Sequence, residues 1–327
     1  MTERARTLAD GVVQLPTDYP AAHDAPLWLY AVGSGDAIAL IDSAIPTSLD
    51  AGVGDALAEA GLDVAAIRDV LLTHGHPDHQ GGARSWQAGS GARISAPLDD
   101  VTWIEDPERQ WRELWDGYPG AISLVDGRDG LIGMCGGAIR VDRLLRDGDR
   151  VEVGGGSGDP ERAIEVIQTR GHTRGHMAFL ERQSGCLFTG DVVQGRGLRT
   201  ISGSTVISPM YEDVVDYRAG LERLLATPFE WLCAAHRDPL GADAGLALIR
   251  ESLAFIDEVD DLVRSELARA DGPVPSRVVA AAVGRLVGAR PGVTMQTVTT
   301  ALAHLTELAR TGAIEESWAT VGRPGGP

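Results

Sequence analysis

The densest chemistry in the chain lies in Thr73-His74-Gly75-His76-Pro77-Asp78-His79-Gln80-Gly81-Gly82, where three imidazoles and one carboxylate fall within six positions. A single buried histidine is ordinarily a satisfied core residue. Three of them beside an aspartate are hard to bury unless a cation holds them, so a metal site is the expectation. His74 and His76 alternate as neighbours on one face of extended chain, whereas Asp78 and His79 fall where a helix begins, so one turn addresses two metal positions. Pro77 suits the first turn of that helix, and Gly81-Gly82 let it pack closely. His172, Asp191 and His236 add candidates farther along, each following a run that reads as a strand. Taken singly, Asp191 is a turn residue and each histidine a surface or core residue. Together with the first block they place five of the eight histidines at strand ends, where α/β sheets build their sites.

The elements that must position these groups follow from periodicity. Strands are predicted at 11–15, 27–32, 37–41 and 69–72, and a helix over 48–60 closed by Gly61. A helix running to about 88 and a short strand at 93–95 follow the histidine block. Further strands are predicted at 163–167, 177–180, 186–189 and 231–235. Strand and helix alternate, which favours an α/β sheet architecture. Residues 97–135 break that rhythm: Trp103, Trp111, Trp115 and Tyr118 crowd a segment with a helix start at Glu105-Asp106-Pro107-Glu108. These aromatics either pack an inserted helix onto the core or, with His176, wall an apolar substrate pocket.

Composition sets the outer bounds. With 327 residues, 43% of them hydrophobic, the chain can bury a substantial core, and its length suggests one large domain with a smaller one. Cys135, Cys186 and Cys233 are scattered and odd in number, so neither a disulfide framework nor a cysteine-based zinc site is supported. Any metal is then held by nitrogen and oxygen; zinc leads, and iron or manganese fits the same ligands. The net charge of −18 repels phosphate backbones, so nucleic acid is not an expected partner. The basic residues are all arginine, which with the abundance of Ala and Gly reads as the codon bias of a GC-rich bacterial genome. No apolar run reaches membrane-spanning length and the N-terminus leads into no signal core, so a soluble cytoplasmic protein is expected.

From Asp42 to His236 the chain resembles the metallo-β-lactamase fold superfamily, with its five sequence blocks present in order. The resemblance implies an αββα sandwich over residues 1–243. It also implies that His74, His76 and His172 hold a first divalent metal ion, that Asp78, His79 and His236 hold a second, and that Asp191 bridges them. Asp42 is then a carboxylate supporting the cluster, and Asp78 doubles as the catalytic group that orients the attacking water. Paired dications ~3.5–4 Å apart activate a shared water towards an electrophile. The stretches 171–178 and 211–217 and the C-terminal region are similar to a branch that includes beta-lactamase-like protein 2, an endoribonuclease, and thioesterases of fungal aromatic polyketide synthesis. That branch implies a small winged-helix-like domain over 244–327, with helices at 246–270, 275–288 and 294–311 and a wing at 313–321. Five arginines against three glutamates after Gly272 are weak for phosphate tracking, so a structural role is favoured: capping the core, shaping the active-site mouth or homodimerising. One departure stands out: Ala235 and Arg237 flank His236 where relatives carry glycine. The expected activity is hydrolysis of an activated acyl bond in a small-molecule or carrier-bound substrate, a thioester or lactone, with single-stranded RNA cleavage as the alternative.

Overall fold

The computed structural model describes residues 4–20, 24–35, 37–118, 121–153, 162–203, 205–270, 272–289 and 292–315. Seven strands form one sheet in sequence order: β1 (Arg6–Ala9), β2 (Val12–Pro16), β3 (Trp28–Ser34), β4 (Ala37–Ile41), β5 (Ile67–Leu71), β6 (Arg93–Pro97) and β7 (Arg143–Leu145). The first four strands meander antiparallel, and β4 to β7 run parallel. The second sheet contains β8 (Arg150–Glu152), β9 (Ala163–Gln168), β10 (Met177–Glu181) and β11 (Cys186–Gly190). A separate hairpin of β12 (Leu198–Arg199) and β13 (Val206–Ile207) intervenes before β14 (Trp231–Ala234) and β15 (Leu240–Gly241) complete that sheet in the order β15-β14-β11-β10-β9-β8.

Alternation along the strands explains the layers. Tyr30, Val32, Ala39 and Ile41 point between the sheets, where they meet Val166, Phe179, Phe188 and Cys233. Their neighbours Leu29, Ala31, Ile38 and Leu40 point outward, against Leu57 and Trp86 of the covering helices. The outer face of the second sheet is covered by the helices Val214–Leu225, Ala242–Ala268, Ser276–Val287 and Met295–Arg310. The result is an αββα sandwich with a helical C-terminal region. That region shares one apolar cluster with the second sheet: Phe255, Val283 and Leu305 pack in continuity with Leu187 and Leu232. The wing expected at 313–321 lies outside the described residues from 316 on. Among the described residues, no helix is long and apolar enough to cross a membrane.

Two predicted helices are broken where the fold demands it. The helix expected over 48–60 kinks at Gly52, whose φ of 150° belongs to glycine, before Gly54–Glu59 resumes. The helix after the histidine block divides into Pro77–Gln80 and Ala83–Ser90. A side chain on Gly81 would run into the carbonyl of Met134, and one on Gly82 into that of Ser43. The glycine pair therefore permits the close approach that seats the histidine block.

Candidate metal centre

Every candidate ligand leaves the same rim of the sandwich. His74, His76, Asp78 and His79 follow β5, His172 follows β9, Asp191 follows β11 and His236 follows β14. Backbone bonds stitch the two sheets together there: Met177 N–H donates to Thr73 O at 2.9 Å, and Trp28 N–H to Ala235 O at 2.8 Å. Among the described residues, three groups of potential ligand atoms result, each group within 4.8 Å: His74 with His76 and His172, His74 with His79 and Asp191, and Asp78 with His79 and His236.

The proton positions on these imidazoles follow from their outer partners. His172 Nδ1 lies 2.7 Å from the carbonyl of Met210 and His236 Nδ1 lies 2.6 Å from that of Pro26. A carbonyl only accepts, so each Nδ1 carries a proton and each Nε2 points its lone pair into the cluster. His79 Nδ1 donates to Asp42 Oδ2 at 2.9 Å with the same consequence. Thr73 Oγ1 donates to the Asp42 carboxylate at 3.0 Å and accepts from His74 Nδ1 at 2.9 Å. Asp42 thus fixes the tautomers of two candidate ligands, and it does so with a φ of 60°, a left-handed conformation that costs a non-glycine residue roughly 1 kcal/mol. His76 instead turns its Nδ1 inward, 2.9 Å from His74 Nε2 and 3.0 Å from His172 Nε2.

These residues fit a pair of metal ions. His79 Nε2 is buried without a hydrogen-bond partner, facing Asp191 Oδ1 at 3.5 Å and Asp78 Oδ2 at 3.9 Å. His236 Nε2 lies 3.4 Å from Asp78 Oδ2 and 3.5 Å from Asp191 Oδ2, and His172 Nε2 lies 3.7 Å from Asp191 Oδ2. Ligands bound tetrahedrally at about 2.0–2.1 Å stand about 3.4 Å apart, close to these separations. The electrostatics agree. Although burial opposes it, His236, His79 and His172 hold the Asp191 carboxyl well below the usual carboxylate range. Burial, followed by His172, lowers His76 to about 3, which keeps that imidazole neutral and free to ligate.

His176, expected in the pocket, lies beneath the cluster instead. It is fully buried, meets Thr169 Oγ1 through Nδ1 at 2.9 Å, and accepts the Asp191 backbone N–H at Nε2 at 3.2 Å. The four aromatics expected to wall a pocket are also divided. Trp115 lines a cavity of about 240 Å³ whose floor is His76, Asp78, His172, Asp191 and His236. Trp103 does not line it: its ring lies under the Arg174 guanidinium at 3.9 Å and its N–H donates to Glu113 at 2.7 Å. Trp111 packs with Trp115 and Leu114 away from that cavity, and the Tyr118 hydroxyl bonds Thr299 of the last helix at 2.8 Å. Trp103 and Tyr118 line a separate cavity with Glu113, Glu212 and Thr299, and aromatic crowding in sequence does not say which cavity or neighbouring helix a ring will face.

Other cavity walls come from parts of the chain that carried no signal of their own: Leu131, Met134, Leu198, Ile207, Met210 and Met295. Tyr19 also lines the cavity, its ring 5.8 Å from that of His236 and its phenol beside Asp78. Its setting between Asp18 and Pro20, just past a strand, was the available clue. Asp100 was missed as well, although it sits three residues beyond the end of β6 and so obeys the strand-end rule that found the others.

Comparison with known proteins agrees with this geometry. Residues 27–236 match the family model of the metallo-beta-lactamase superfamily. The chain is 29% identical over 227 residues to the acyl-coenzyme A thioesterase MBLAC2 of Gallus gallus, covering 63% of this chain and 69% of that protein. It is 29% identical over 185 residues to a hydroxyacylglutathione hydrolase of Fuscovulum blasticum, covering 57% of this chain and 54% of that protein. The chain thus spans little more than half the length of the latter relative. Among solved structures, a metallo-beta-lactamase family protein of Thermus thermophilus superposes with a TM-score of 0.72 at 24% identity, covering 94% of this chain and 96% of the other. A beta-lactamase domain protein of Burkholderia ambifaria gives 0.66 at 20% identity, covering 94% and 89%.

Proposed function

The chain belongs to the metallo-beta-lactamase superfamily, and from that premise we propose that it is a metal-dependent hydrolase of thioesters with an apolar acyl group. The observation that carries the reading is the cavity over the cluster: a polar floor of metal-ligand type and walls of Trp115, Leu131, Met134, Leu198, Ile207 and Met295. Two bound divalent ions, zinc in the first instance, would lower the pKa of a water they share and polarise the acyl carbonyl. His74, His76 and His172 would hold one ion, Asp78, His79 and His236 the other, with Asp191 between them.

The protein's own groups divide the remaining work. Asp78 is held as a carboxylate by His79 and His236 against the burial that opposes it, so it stays ionised and can accept a hydrogen bond from the attacking water, orienting it at the cavity floor. Tyr19 keeps its proton, because burial and then Asp78 raise its pKa far beyond neutrality. Its phenol is therefore a hydrogen-bond donor beside the Asp78 carboxylate, where it helps to hold that group in place. The apolar walls orient the acyl chain and exclude water from around the scissile bond.

Among the described residues no arginine lines this cavity, and the sequence has no lysine, which disfavours a phosphodiester in the mouth. The relatives named for acyl-coenzyme A and hydroxyacylglutathione support thioester chemistry in general. Turnover of acetyl-, hexanoyl- and lauroyl-coenzyme A, S-lactoylglutathione, an acyl lactone and single-stranded RNA, each with and without chelator, tests the reading. The expected result is chelator-sensitive hydrolysis fastest for a longer acyl-coenzyme A; faster cleavage of RNA or lactone would overturn it.

A further inference from the structure

We propose that Asp100 is a positioning residue for the three-histidine half of the centre, and that the 98–135 segment acts as its brace. The inference rests on the reading of His74, His76 and His172 as a metal site. Asp100 is fully buried. Its Oδ2 accepts from the Gly75 N–H at 2.9 Å and from Thr173 Oγ1 at 2.6 Å, and its Oδ1 accepts from the Gly175 N–H at 2.8 Å. Gly75 lies between His74 and His76, and Thr173 follows His172. One carboxylate therefore ties together the two loops that carry all three imidazoles.

An aspartate preceding a helix is ordinarily a cap, and Asp100 does precede the helix Val101–Glu105. Its side chain makes no capping bond to that helix. Its hydrogen bonds go to the ligand loops instead, and a carboxylate this deeply buried needs such donors to stay where it is. The fit is close on both sides: a Cβ on Gly175 would stand 2.6 Å from Asp100 Oδ1, and one on Gly75 3.4 Å from Asp100 Cβ. The same segment supplies a second hold. Gln110 is buried, donates from Nε2 to the Gly75 carbonyl, and accepts the Cys135 thiol at 3.1 Å. Both peptide groups of Gly75 are thus held by side chains of 98–135, a segment that breaks the strand and helix rhythm of the sandwich.

The consequence is selective. His79 and His236 have their outer bonds elsewhere, on Asp42 and Pro26, so loosening Asp100 weakens one ion and spares the other. The test uses the full chain carrying Asp100→Asn or Thr173→Val; the second variant swaps a hydroxyl for a methyl and keeps the assay interpretable if the first does not fold. Zinc binding is titrated calorimetrically against a competing chelator, cobalt(II) absorption reports which site fills, and amide exchange at Gly75 and Gly175 is followed in the metal-free protein. Expected in Asp100→Asn is a loss of roughly 10- to 100-fold in affinity for one ion only, with faster exchange at both glycines. Thr173→Val should move the same ion in the same direction, by less. Unchanged affinities, or equal weakening of both ions, would overturn the proposal while leaving the hydrolase reading intact. A wild-type protein that takes up no metal would instead overturn the reading on which both depend.

Discussion

Asp42 Oδ2 stands 2.9 Å from His79 Nδ1, at the end of β4 and directly under the turn that β5 delivers. The same carboxylate takes the Thr73 hydroxyl, which in turn receives the His74 imidazole, so one acidic group sets the tautomer of a residue in each proposed ion site. Asp42→Asn tests that arrangement, because asparagine tolerates the left-handed backbone but presents an amide N–H to one side. With its oxygen kept by Thr73, its amide faces His79 Nδ1 and drives the ring to the Nε2–H tautomer. The expected outcome is a loss of about 10- to 100-fold in affinity for the second ion, read by metal titration.

Asp191 lies 3.5 Å from both His79 Nε2 and His236 Nε2 and 3.7 Å from His172 Nε2. Asp191→Asn removes the charge that faces both ion positions while leaving the inter-sheet core untouched. It should lose bound metal and at least ~100-fold in activity, with an unaltered far-ultraviolet circular dichroism spectrum. Wild-type metal content and rate in this variant would remove Asp191 from the site.

Leu131 lines the cavity wall above the ion floor. Leu131→Trp should fill part of that space, lowering kcat/KM for lauroyl-coenzyme A by ~10-fold or more relative to acetyl-coenzyme A. Metal content should not change. Equal loss on both substrates would mean that the cavity does not hold the acyl chain.

Away from the centre, His304 bonds the Tyr211 hydroxyl at 2.9 Å and lies 3.5 Å from Asp260, which Arg264 also meets at 2.6 Å. His304 first, and Arg264 with it, hold the Asp260 carboxyl down at about 2, below its ordinary value. A carboxylate depressed on folding stabilises the fold fully above its unfolded value, and that contribution is lost as pH falls through the folded one. Asp260→Asn should therefore cost stability at pH 6, about 1 kcal/mol or less because the group is partly exposed, and the cost should vanish towards pH 2. Urea denaturation at the two pH values measures it.

Much of this was legible in the chain because the candidate ligands sit at strand ends, and strand ends are marked by apolar runs giving way to His, Asp or Gly. Asp191 and His236 were found by that placement. Asp100 obeys it too but follows Leu98 and Asp99 at the head of a helix, where an aspartate reads as a cap. The cavity walls were illegible for a different reason. Met295 comes from the last helix and Leu131 from the 98–135 segment, and their meeting above the floor depends on how those elements pack onto the sandwich. The short edge strands β1, β7, β8 and β15 carry too few residues for their alternation to stand out, and pairing with a neighbour is what defines them.

The most direct measurement is anomalous diffraction at the zinc edge from crystals grown with zinc. Two peaks per chain are expected, one among His74 Nε2, His76 Nδ1 and His172 Nε2, the other among Asp78, His79 Nε2 and His236 Nε2, with Asp191 touching both. A map without a peak at this rim, from protein that nevertheless turns over its substrate, would contradict the account.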